Sequence, residues 1–561
     1  MSIIQLKEAN CKNCYKCIRH CEVKSISFHD DQARILEDEC VLCGKCTLIC
    51  PQNAKQIASD LDKVRGWLDN GETVCVSLAP SFVGAFPGVT FPQLAGALKA
   101  LGFARVEETA IGATEVSKAY ARIAASGELP NLITTCCPSV VLLVEKYFPE
   151  LLPQLAQVPS PAVTHAKQMK AAYGDKIKTV FIGPCISKKA EAMRSGVMDA
   201  VLLYDEVREW LQKERAPFTA SAEPEMHETL SRVYPVPGGI LKTLPASCRS
   251  QYKSVAVDGL DRCIQTLKTI KEHKISGYIL EMSSCVDSCM GGPGMQEHGT
   301  PFLLGKNDVY AFSRKKTLTP PPQTEGLQVG MKAAYGQPLP EKAVPTEAEI
   351  WEILNSIGKH HPKDLLNCGA CGYNTCWEKA IAVYEGKANQ HMCLPHMREK
   401  AESMSNTILD NTPNALFLLD EEFRILQYNK AGEKLLSMDS QCIGMPMADF
   451  LDMSAFESIK ATGQPVMGVR CHTAIYDILV EQSIVPVPNQ DYLVMVKDIS
   501  AEEESLLALA KMREETLQTA QQVIDKQMRV AQEIASLLGE TTGETKAALL
   551  KLKASITKGG L

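Results

Sequence analysis

Short apolar runs and amphipathic stretches alternate through the middle of the chain. Residues 73–78, 179–183 and 276–280 are rich in β-branched residues and have the length of buried strands. Between them, stretches such as residues 265–272 repeat apolar positions every three or four residues, which is typical of helices that bury one face. The alternation predicts parallel sheets covered by helices over residues 59–315.

The pattern changes over residues 401–500. Strand-length runs there are separated by turn residues, and only one short helical pattern stands out, which predicts an α+β domain. The strands are predicted at residues 414–420, 423–429, 475–484 and 491–497, and the helix at residues 429–436. The chain as a whole is thus predicted to be a multidomain protein of mixed α/β and α+β classes.

Residues 501–561 have the pattern of a long helix. Ser500 and Glu503 have the spacing of a capping box, which would start the helix. An apolar residue then recurs at every third or fourth position from Leu517 to Leu538 and forms one stripe. We expect the stripe either to pack on the preceding domain or, as we favour, to pair in a homodimer or dock on a signalling partner.

Residues 316–346 contain prolines at positions 320, 321, 322, 338, 340 and 345 and show little apolar periodicity. A segment of this kind predicts a linker between domains.

Composition agrees with several soluble domains in one chain. The 561 residues exceed what one core accommodates, and the net charge of -7 gives no reason to expect nucleic acid or an anionic membrane as partner. The N-terminus passes directly into cysteines without the apolar run of a signal peptide, so we expect a cytoplasmic protein. The 22 cysteines fall in tight groups, which favours metal or iron–sulfur ligands over disulfides.

Residues 1–58 contain one cysteine spacing twice. In such runs three thiolates bind one 4Fe–4S cluster and the fourth binds the other, so the predicted sets are Cys11, Cys14, Cys17 and Cys50, and Cys40, Cys43, Cys46 and Cys21. The alternative, zinc, normally shows two well-separated pairs. The repeat resembles bacterial two-cluster ferredoxins, although Glu22 stands where that pattern prefers proline. The domain is predicted to carry electrons.

Residues 347–400 contain four further cysteines, Cys368, Cys371, Cys376 and Cys393. Four thiolates in one compact, mostly helical segment can hold one 4Fe–4S cluster or one zinc ion. The turn around Cys371 resembles an accessory 4Fe–4S domain of redox proteins, which favours the cluster.

Three more cysteine motifs lie within residues 59–315. They are Thr-Thr-Cys-Cys-Pro at 134–138, Gly-Pro-Cys-Ile-Ser-Lys-Lys-Ala-Glu at 183–191, and Glu-Met-Ser-Ser-Cys-Val-Asp-Ser-Cys-Met-Gly-Gly at 281–292. The last two follow predicted strands, where α/β sheets place ligand sites. Adjacent side chains on an extended backbone point in opposite directions, so Cys136 and Cys137 are not expected to face the same metal.

In their residues and their order, these motifs resemble the three H-cluster motifs of FeFe hydrogenases. The resemblance implies a 4Fe–4S cube held by Cys137, Cys185, Cys285 and Cys289. It also implies that Cys289 bridges to a two-iron unit that carries CO, cyanide and a dithiolate. With the cysteine sets above, this makes three 4Fe–4S clusters outside the active site, and dihydrogen and protons as substrates.

The same resemblance gives roles to neighbouring residues. The Lys188 ammonium would lie beside a cyanide, and Ala79, Pro80 and Ser81 would line the pocket. Cys136 would pass protons towards Glu115, since a thiol of pKa about 8.5 holds a proton near neutral pH and releases it at modest cost. The alternatives are a solvated surface lysine at Lys188 and a buried packing residue at Cys136.

Several positions depart from the efficient enzymes of that family. The second glutamate of the usual proton route is replaced by Lys118 and the serine by Ala156, and neither side chain relays protons well at neutral pH. Other replacements are Gly183 and Ser283 for two methionines, Ala162 for a glutamine and Val140 for a tryptophan. We therefore expect slow turnover but normal cluster binding.

Residues 401–500 resemble a PAS sensor domain, and we expect His472 and Cys471 to be structural rather than haem ligands. The whole chain thus resembles the PAS-containing sensory FeFe hydrogenases of anaerobic bacteria. The resemblance implies reversible, slow hydrogen oxidation and proton reduction, a ferredoxin-type redox partner and a kinase or phosphatase as signalling partner.

Two other functions remain open. One is a catalytic ferredoxin-dependent hydrogenase whose PAS domain merely regulates or dimerises it. The other is a non-catalytic hydrogenase-like iron–sulfur protein that lacks the two-iron unit.

Overall fold

The computed structural model describes residues 2–219, 230–295, 300–314, 323–336, 338–340, 342–473, 477–488, 491–538 and 542–558. The chain divides into two compact units, residues 1–396 and residues 397–561. Within the described ranges, every helix is too short or too polar to cross a membrane.

The first 58 residues fold as two similar halves around the cysteine runs. Antiparallel pairs of short strands frame them, Ile4–Leu6 with Lys55–Ile57 and Ile26–His29 with Gln32–Ile35. One helical turn lies within each run, at Lys16–Arg19 and Lys45–Leu48, and a residue with positive φ precedes each turn. The repeat in sequence is therefore also a repeat in backbone conformation.

Two parallel sheets form the centre of the first unit, which confirms the predicted alternation. One has the strand order Arg105–Glu108, Val74–Leu78, Lys178–Gly183 and Ala200–Leu203. The other has the order Lys253–Asp258, Tyr278–Ser283 and Asn131–Ile133. Strands Val74–Leu78 and Ala200–Leu203 are buried along their whole length, as expected where helices cover both faces of a sheet.

The helices of this domain bury their apolar faces against the two sheets. They are Leu61–Asp69, Phe82–Ala85, Phe91–Ala100, Ala110–Ser126, Pro138–Tyr147, Pro161–Tyr173, Ser187–Ser195, Tyr204–Lys213, Gly239–Thr243, Cys248–Gln251, Leu260–Lys271 and Phe302–Ser313. Helices Ala110–Ser126 and Pro161–Tyr173 approach closely at Gly112, where a Cβ would lie 2.8 Å from the backbone nitrogen of His165. Only glycine allows this approach.

A buried ion pair joins the first sheet to the segment Leu230–Val233. The Arg232 guanidinium donates to both carboxylate oxygens of Glu108, at 2.7 and 2.6 Å, and both side chains are almost completely buried. The guanidinium also lies 4.4 Å from the centre of the Phe312 ring. Two parallel hydrogen bonds of this kind satisfy a buried carboxylate with little freedom to rearrange.

The predicted linker lacks helices and strands over its described residues up to Thr346, but it is held against the first unit. The Tyr335 hydroxyl donates to the carbonyl of Val158 at 2.7 Å, and Gln168 donates to the carbonyl of Leu327 at 3.1 Å. We call residues 323–346 the strap. The prolines at positions 320–322 lie outside the described residues.

Residues 347–396 contain helices Glu347–Ser356 and Cys376–Tyr384 and the start of helix Leu394–Asn411. Threonine side chains accept from backbone N–H groups at the start of the first two. This segment contacts the first 58 residues: Lys24 donates to the carbonyl of Gly372 at 2.8 Å, and the Phe28 N–H donates to the carbonyl of Lys387 at 2.8 Å.

The second unit contains a five-stranded antiparallel sheet, in agreement with the predicted α+β domain. Its strands, in spatial order, are Ile425–Tyr428, Ala415–Leu419, Tyr492–Asp498, Leu479–Pro486 and Val466–His472. Helices Lys430–Leu435 and Ser454–Thr462 accompany the sheet, and helices Ser500–Leu538 and Thr542–Lys558 come after it in the chain. The first residues of the strand predicted at 475–484 lie outside the described residues.

The predicted capping box at Ser500 was wrong. The helix already includes Ser500, whose N–H donates to the Asp498 carboxylate at 2.9 Å, while the Glu503 N–H donates to the carbonyl of Ile499. The Glu503 carboxylate instead pairs with Arg470. The tertiary ion pair and the earlier acidic residue thus replace the local cap.

We expect Arg232→Met to lower the free energy of unfolding by about 3–5 kcal/mol, because it leaves the Glu108 charge buried without its partner. Urea unfolding followed by circular dichroism measures the change. The control is Arg262→Met, which breaks a pair between the exposed Arg262 side chain and the partly buried Asp258 carboxylate and should cost at most about 1 kcal/mol. Equal effects of the two substitutions would contradict a stabilising role for the buried pair.

Candidate active site

Four cysteines from three strand ends line one cavity. Cys137 precedes helix Pro138–Tyr147, Cys185 follows strand Lys178–Gly183, and Cys285 and Cys289 follow strand Tyr278–Ser283. The carboxyl ends of both parallel sheets therefore meet at this cavity, which is the usual place for ligands in α/β folds. The sequence predicted this set, and the structure brings all four together.

The electrostatics of these thiols fit an iron–sulfur cube. Burial raises the pKa of Cys285 well above its usual value, and the charges of Cys185, Cys137 and Cys289 raise it further. Four thiolates this close need several positive charges between them. Within the described residues, no three Cys, His, Asp or Glu side chains are placed to share a single metal ion.

Cys136 lies in the same cavity, beside the ligand set. Its sulfur lies 3.3 Å from the Tyr120 hydroxyl, which also contacts the Thr135 hydroxyl at 3.2 Å. Burial raises the pKa of the Cys136 thiol to about 12, although the hydrogen bond with Tyr120 lowers it. The thiol is therefore fully protonated at neutral pH, and without metal it holds its proton more tightly than the sequence led us to expect.

Lys188 reaches the cavity as predicted, but it has a partner that the sequence analysis missed. Its ammonium donates to the Glu191 carboxylate at 2.6 Å and to the carbonyl of Cys136 at 3.3 Å. Burial alone would lower the pKa of Lys188, but Glu191 and the neighbouring thiols raise it above the usual value. Glu191 lies three residues after Lys188 on the same helix, and this spacing was the available signal.

Glu115 lies on helix Ala110–Ser126, and its carboxylate accepts from Lys118 at 2.7 Å. The hydrogen bond that the structure gives the Cys136 thiol runs to Tyr120 instead. Ala156 is buried in the same apolar cluster as Tyr120. The structure thus shows no direct hydrogen bond from Cys136 to Glu115 among the described residues, and the role of Glu115 stays a prediction.

The loop that contains Ala79, Pro80 and Ser81 lines the cavity, as the resemblance implied. The Ser81 hydroxyl lies 2.8 Å from the Tyr204 hydroxyl, which donates to the carbonyl of Ala79 at 3.0 Å. Tyr204 therefore fixes the loop, and no local spacing in the sequence pointed to it.

Two of the positions that depart from the family pattern, Gly183 and Ser283, affect the shape of the cavity wall. A Cβ on Gly183 would lie 2.6 Å from the Phe181 ring, so this phenylalanine occupies the space that a larger side chain at Gly183 would need. Ser283 forms a hydroxyl pair with Ser288 at 2.9 Å. Both Phe181 and Ser283 line the cavity.

Glu281 is a buried carboxyl on the same wall that the sequence analysis left without a role. It accepts backbone N–H groups of Gly238 at 2.9 Å and Leu241 at 3.1 Å, at the start of helix Gly239–Thr243. Burial raises its pKa to about 7, even though these backbone hydrogen bonds lower it.

The structure also brings together several members of the other predicted cysteine sets. The pKa of Cys46 is raised by burial and then by Cys43, Cys40 and Cys21, which supports placing Cys21 with the second run. The pKa of Cys17 is raised by burial and by the charges of Cys11 and Cys14. Cys50 accepts the N–H of Ala54 at 3.3 Å.

In the accessory segment, the pKa of Cys371 is raised by burial and by Cys393 and Cys368. Burial lowers the pKa of the Lys379 ammonium, and the charges of Cys393, Cys371 and Cys376 raise it. All four predicted ligands therefore lie close to one another. The Lys379 Nζ also donates to the carbonyl of Gln390 at 3.1 Å.

The cysteine groups succeed one another through the first unit. Burial is the main reason that the pKa values of Cys285 and Cys46 are raised. The charge of Cys43 raises the pKa of Cys285 further, and the charge of Cys17 raises the pKa of Cys46 further. Tyr373 lies beside the accessory set. Burial raises its pKa, and the charges of Cys371 and Cys21 raise it further. The groups thus form a continuous series from the accessory segment to the cavity.

Comparison with known families agrees with these assignments. A family model described as the C-terminal domain of the iron-only hydrogenase large subunit matches residues 72–293. A 4Fe–4S binding domain matches residues 33–56, and an Fe–S cluster family matches residues 365–395.

Among curated proteins, iron hydrogenase 1 of Clostridium pasteurianum is 26% identical over 325 residues, 46% of this chain and 56% of that protein. The chain thus spans about half the length of this relative. The periplasmic Fe hydrogenase large subunit of Nitratidesulfovibrio vulgaris is 25% identical over 52% of this chain and 86% of that protein. The cytosolic Fe–S cluster assembly factor NAR1 of Sclerotinia sclerotiorum is 33% identical over 98 residues, 16% of this chain and 17% of that protein.

Among solved structures, a variant of the FeFe-hydrogenase HydA1 from Chlamydomonas reinhardtii matches 50% of this chain and 99% of its own, at 17% identity and a TM-score of 0.40. The PAS domain of nitrogen regulation protein NR(II) from Vibrio parahaemolyticus matches 17% of this chain and 98% of its own, at 20% identity and a TM-score of 0.16.

Glu281 should make the stability of the metal-free chain depend on pH. Its pKa is raised on folding, so the folded state binds the proton more tightly, and stability falls as pH rises from about 4.5 to about 7. The slope from this group is at most about 1.4 kcal/mol per pH unit. We expect Glu281→Gln to remove it, as measured by urea midpoints between these pH values.

The matched control is Glu128→Gln, which changes an exposed carboxyl. It should leave the slope as in the unmodified chain. A slope that survives Glu281→Gln would assign the pH dependence to other groups.

Proposed function

We propose that this chain, whose residues 72–293 belong to the iron-only hydrogenase family, is a hydrogen sensor that activates dihydrogen slowly and reversibly. The observation that carries the proposal is the convergence of Cys137, Cys185, Cys285 and Cys289 on one cavity that also contains Cys136 and Lys188. A structural iron–sulfur domain needs the four ligands alone. A thiol and an ammonium turned to the same space support a reactive group there.

The four cysteines would hold a 4Fe–4S cube, and Cys289 would also bind the two-iron unit. When bound, this group supplies the site at which dihydrogen is split or formed. The chain contributes the surroundings. Glu191 keeps the Lys188 ammonium in place, where it can donate to a negatively charged ligand, and Tyr120 orients the Cys136 thiol, which can give or take one proton. The largely apolar wall limits access of water.

Electrons would travel through the cysteine groups. The neighbouring positions of the cavity, the two N-terminal cysteine runs and the accessory set support one H-cluster and three further 4Fe–4S clusters. The two electrons from each dihydrogen would leave to a ferredoxin-type partner, since the outer ligands Cys14 and Cys368 are exposed.

Slow turnover is supported by the proton side of the cavity. Ala156 offers no exchangeable side-chain proton, and the Lys118 ammonium is paired with the Glu115 carboxylate at 2.7 Å. An enzyme built for rapid flux would not be expected to lose its relay groups while it keeps its cluster ligands.

Signalling is supported by the elements that come after the clusters along the chain. Helix Leu394–Asn411 begins directly after the ligand Cys393 and leads into the PAS-like sheet. Helix Ser500–Leu538 then exposes apolar side chains such as Leu506, Leu509 and Met512, which suits a homodimer or a kinase or phosphatase partner.

Two alternatives differ in measurable ways. A catalytic hydrogenase is favoured by the continuous series of cysteine groups, and it would show turnover comparable to metabolic hydrogenases. A non-catalytic protein is favoured by the similarity to NAR1 over 98 residues, and it would show no infrared bands of iron-bound CO and cyanide after maturation.

We expect Cys136→Ala to keep the iron content and the CO and cyanide bands but to lower hydrogen turnover roughly 100-fold, since a positioned proton-transfer group contributes on the order of 10²–10⁴. The control is Cys248→Ala, which removes a buried thiol on another helix. Unchanged turnover in Cys136→Ala would show that protons reach the cavity without this thiol.

The sensing proposal is tested by hydrogen–deuterium exchange of the matured chain under dihydrogen and under argon. We expect dihydrogen to change exchange in helices Leu394–Asn411 and Ser500–Leu538. Cys289→Ala, which should not retain the two-iron unit, is expected to abolish the response. Identical exchange under both gases in the unmodified chain would contradict sensing through the second unit.

A further inference from the structure

A second set of polar side chains leads away from the cavity, separate from the contacts of Cys136. Thr109 lines the cavity, and its hydroxyl lies 2.7 Å from the Ser77 hydroxyl. Ser77 lies 2.8 Å from His165 Nδ1, and His165 Nε2 lies 3.1 Å from Glu107. The Tyr173 hydroxyl donates to the other oxygen of Glu107 at 2.6 Å.

Most side chains of this set are almost completely buried. His165 and Glu107 are 0% exposed, and Ser77 is 1% exposed. Such groups are rarely placed inside an apolar core without a reason, because each costs free energy unless it is fully hydrogen-bonded. Tyr173 is only half-buried, and the exposed Arg105 lies over its ring at 4.6 Å. The series therefore runs from the cavity to the surface.

The chemistry of the groups fixes the direction of the hydrogen bonds. Burial alone would raise the pKa of Glu107, but hydrogen bonds from His165, Thr324 and Tyr173 bring it below the usual value. An ionised carboxylate only accepts, so His165 Nε2 donates to it, and in the neutral imidazole Nδ1 accepts from Ser77. Ser77 in turn accepts from Thr109. From Thr109 to His165, every donor points away from the cavity.

We propose that Thr109, Ser77, His165, Glu107 and Tyr173 form a proton relay that connects the cavity with solvent. This inference rests on the proposed hydrogen chemistry, in which each dihydrogen gives two protons and two electrons, and the electrons leave through the cysteine groups.

In the relay, Thr109 takes a proton from the cavity while its own proton passes to Ser77. The Ser77 proton passes to His165 Nδ1, and the Nε2 proton passes to Glu107. A histidine can do this because its two ring nitrogens exchange roles. The Tyr173 hydroxyl, which donates to Glu107 at rest, must turn its proton outwards and give it to solvent while its oxygen takes the proton from Glu107. Only O–H and N–H bonds are made or broken.

The relay explains how a chain with alanine at position 156 can still exchange protons. Cys136 exchanges the proton inside the cavity, and Thr109, which lines the same cavity, carries it on to the relay. The route through Cys136 meets Tyr120 and Thr135, and the Thr135 hydroxyl then donates to the carbonyl of Val158. A carbonyl cannot pass a proton onward as a carboxylate or an imidazole can. The series through His165 contains both kinds of relay group.

A purely structural role is the competing explanation, because the hydroxyl of Thr324 in the strap also donates to Glu107. Two neighbours on the helix of His165 serve as controls. Thr164→Val removes a buried hydroxyl that has no hydrogen-bond partner among the described residues. Gln168→Met removes a hydrogen bond that tethers the strap at Leu327 but touches no relay group.

The test uses the matured full-length chain and the variants His165→Gln and Thr109→Val. The second variant is isosteric and leaves the buried His165–Glu107 pair intact, so it reports on the relay even if the first does not fold. We expect both variants to keep the positions of the CO and cyanide infrared bands and to lower turnover about tenfold or more.

The readout that is independent of turnover is a pH jump. The infrared bands of the loaded cavity should move to their new equilibrium positions about tenfold more slowly in both variants, with the same end points as the unmodified chain. Thr164→Val and Gln168→Met should behave as the unmodified chain in both measurements.

Three outcomes would overturn the relay. One is relaxation in Thr109→Val as fast as in the unmodified chain. Another is equal slowing in Gln168→Met, which would assign the effect to the strap. The third is the absence of CO and cyanide bands in the unmodified chain, which would overturn the proposed function as well. Bands and turnover in the unmodified chain, with unaffected variants, would overturn the relay alone.

Discussion

The arrangement depends on holding four thiol groups close together at the carboxyl ends of two parallel sheets. Burial and mutual repulsion raise the pKa of Cys185, Cys285 and Cys289, so the metal-free cavity favours neutral thiols. Positive iron would reverse this preference, because it stabilises thiolates. The sheets must therefore keep the sulfurs near one another before any cluster arrives, and their largely buried central strands, such as Val74–Leu78 and Tyr278–Ser283, are suited to this.

Several buried ionisable side chains of this domain have a partner held in place on the same helix or on a neighbouring element. Lys188 has Glu191, Arg232 has Glu108, and the carboxyl of Glu281 has the start of a helix. Pairing of this kind orients the groups without leaving a free charge in the core. This pairing also lets the cavity wall remain largely apolar, so that only a few polar side chains face the cavity.

Periodicity was enough to predict the parallel sheets, and local spacing suggested the cysteine groups of residues 1–58 and 347–400. The set Cys137, Cys185, Cys285 and Cys289 is not local in sequence and was implied only by the resemblance to a family. Groups that contact one another across the fold were missed. Tyr120 reaches Cys136 from a helix sixteen residues upstream, and Tyr204 reaches the loop at Ser81 from 123 residues away. The strap was predicted only as a linker, because irregular backbone shows no periodicity even when side chains tether it. The capping box at Ser500 failed because a tertiary ion pair competed for Glu503.

The packing at Gly183 bears on which side chains this position can carry. A side chain larger than hydrogen there meets the Phe181 ring at 2.6 Å, so a methionine cannot be restored by one substitution without displacing that ring. Phe181 would have to shrink first, and that step would leave a void in the cavity wall. The side chain that position 183 can carry therefore depends on the residue at position 181, and the effects of substitutions at these two positions are not expected to be additive.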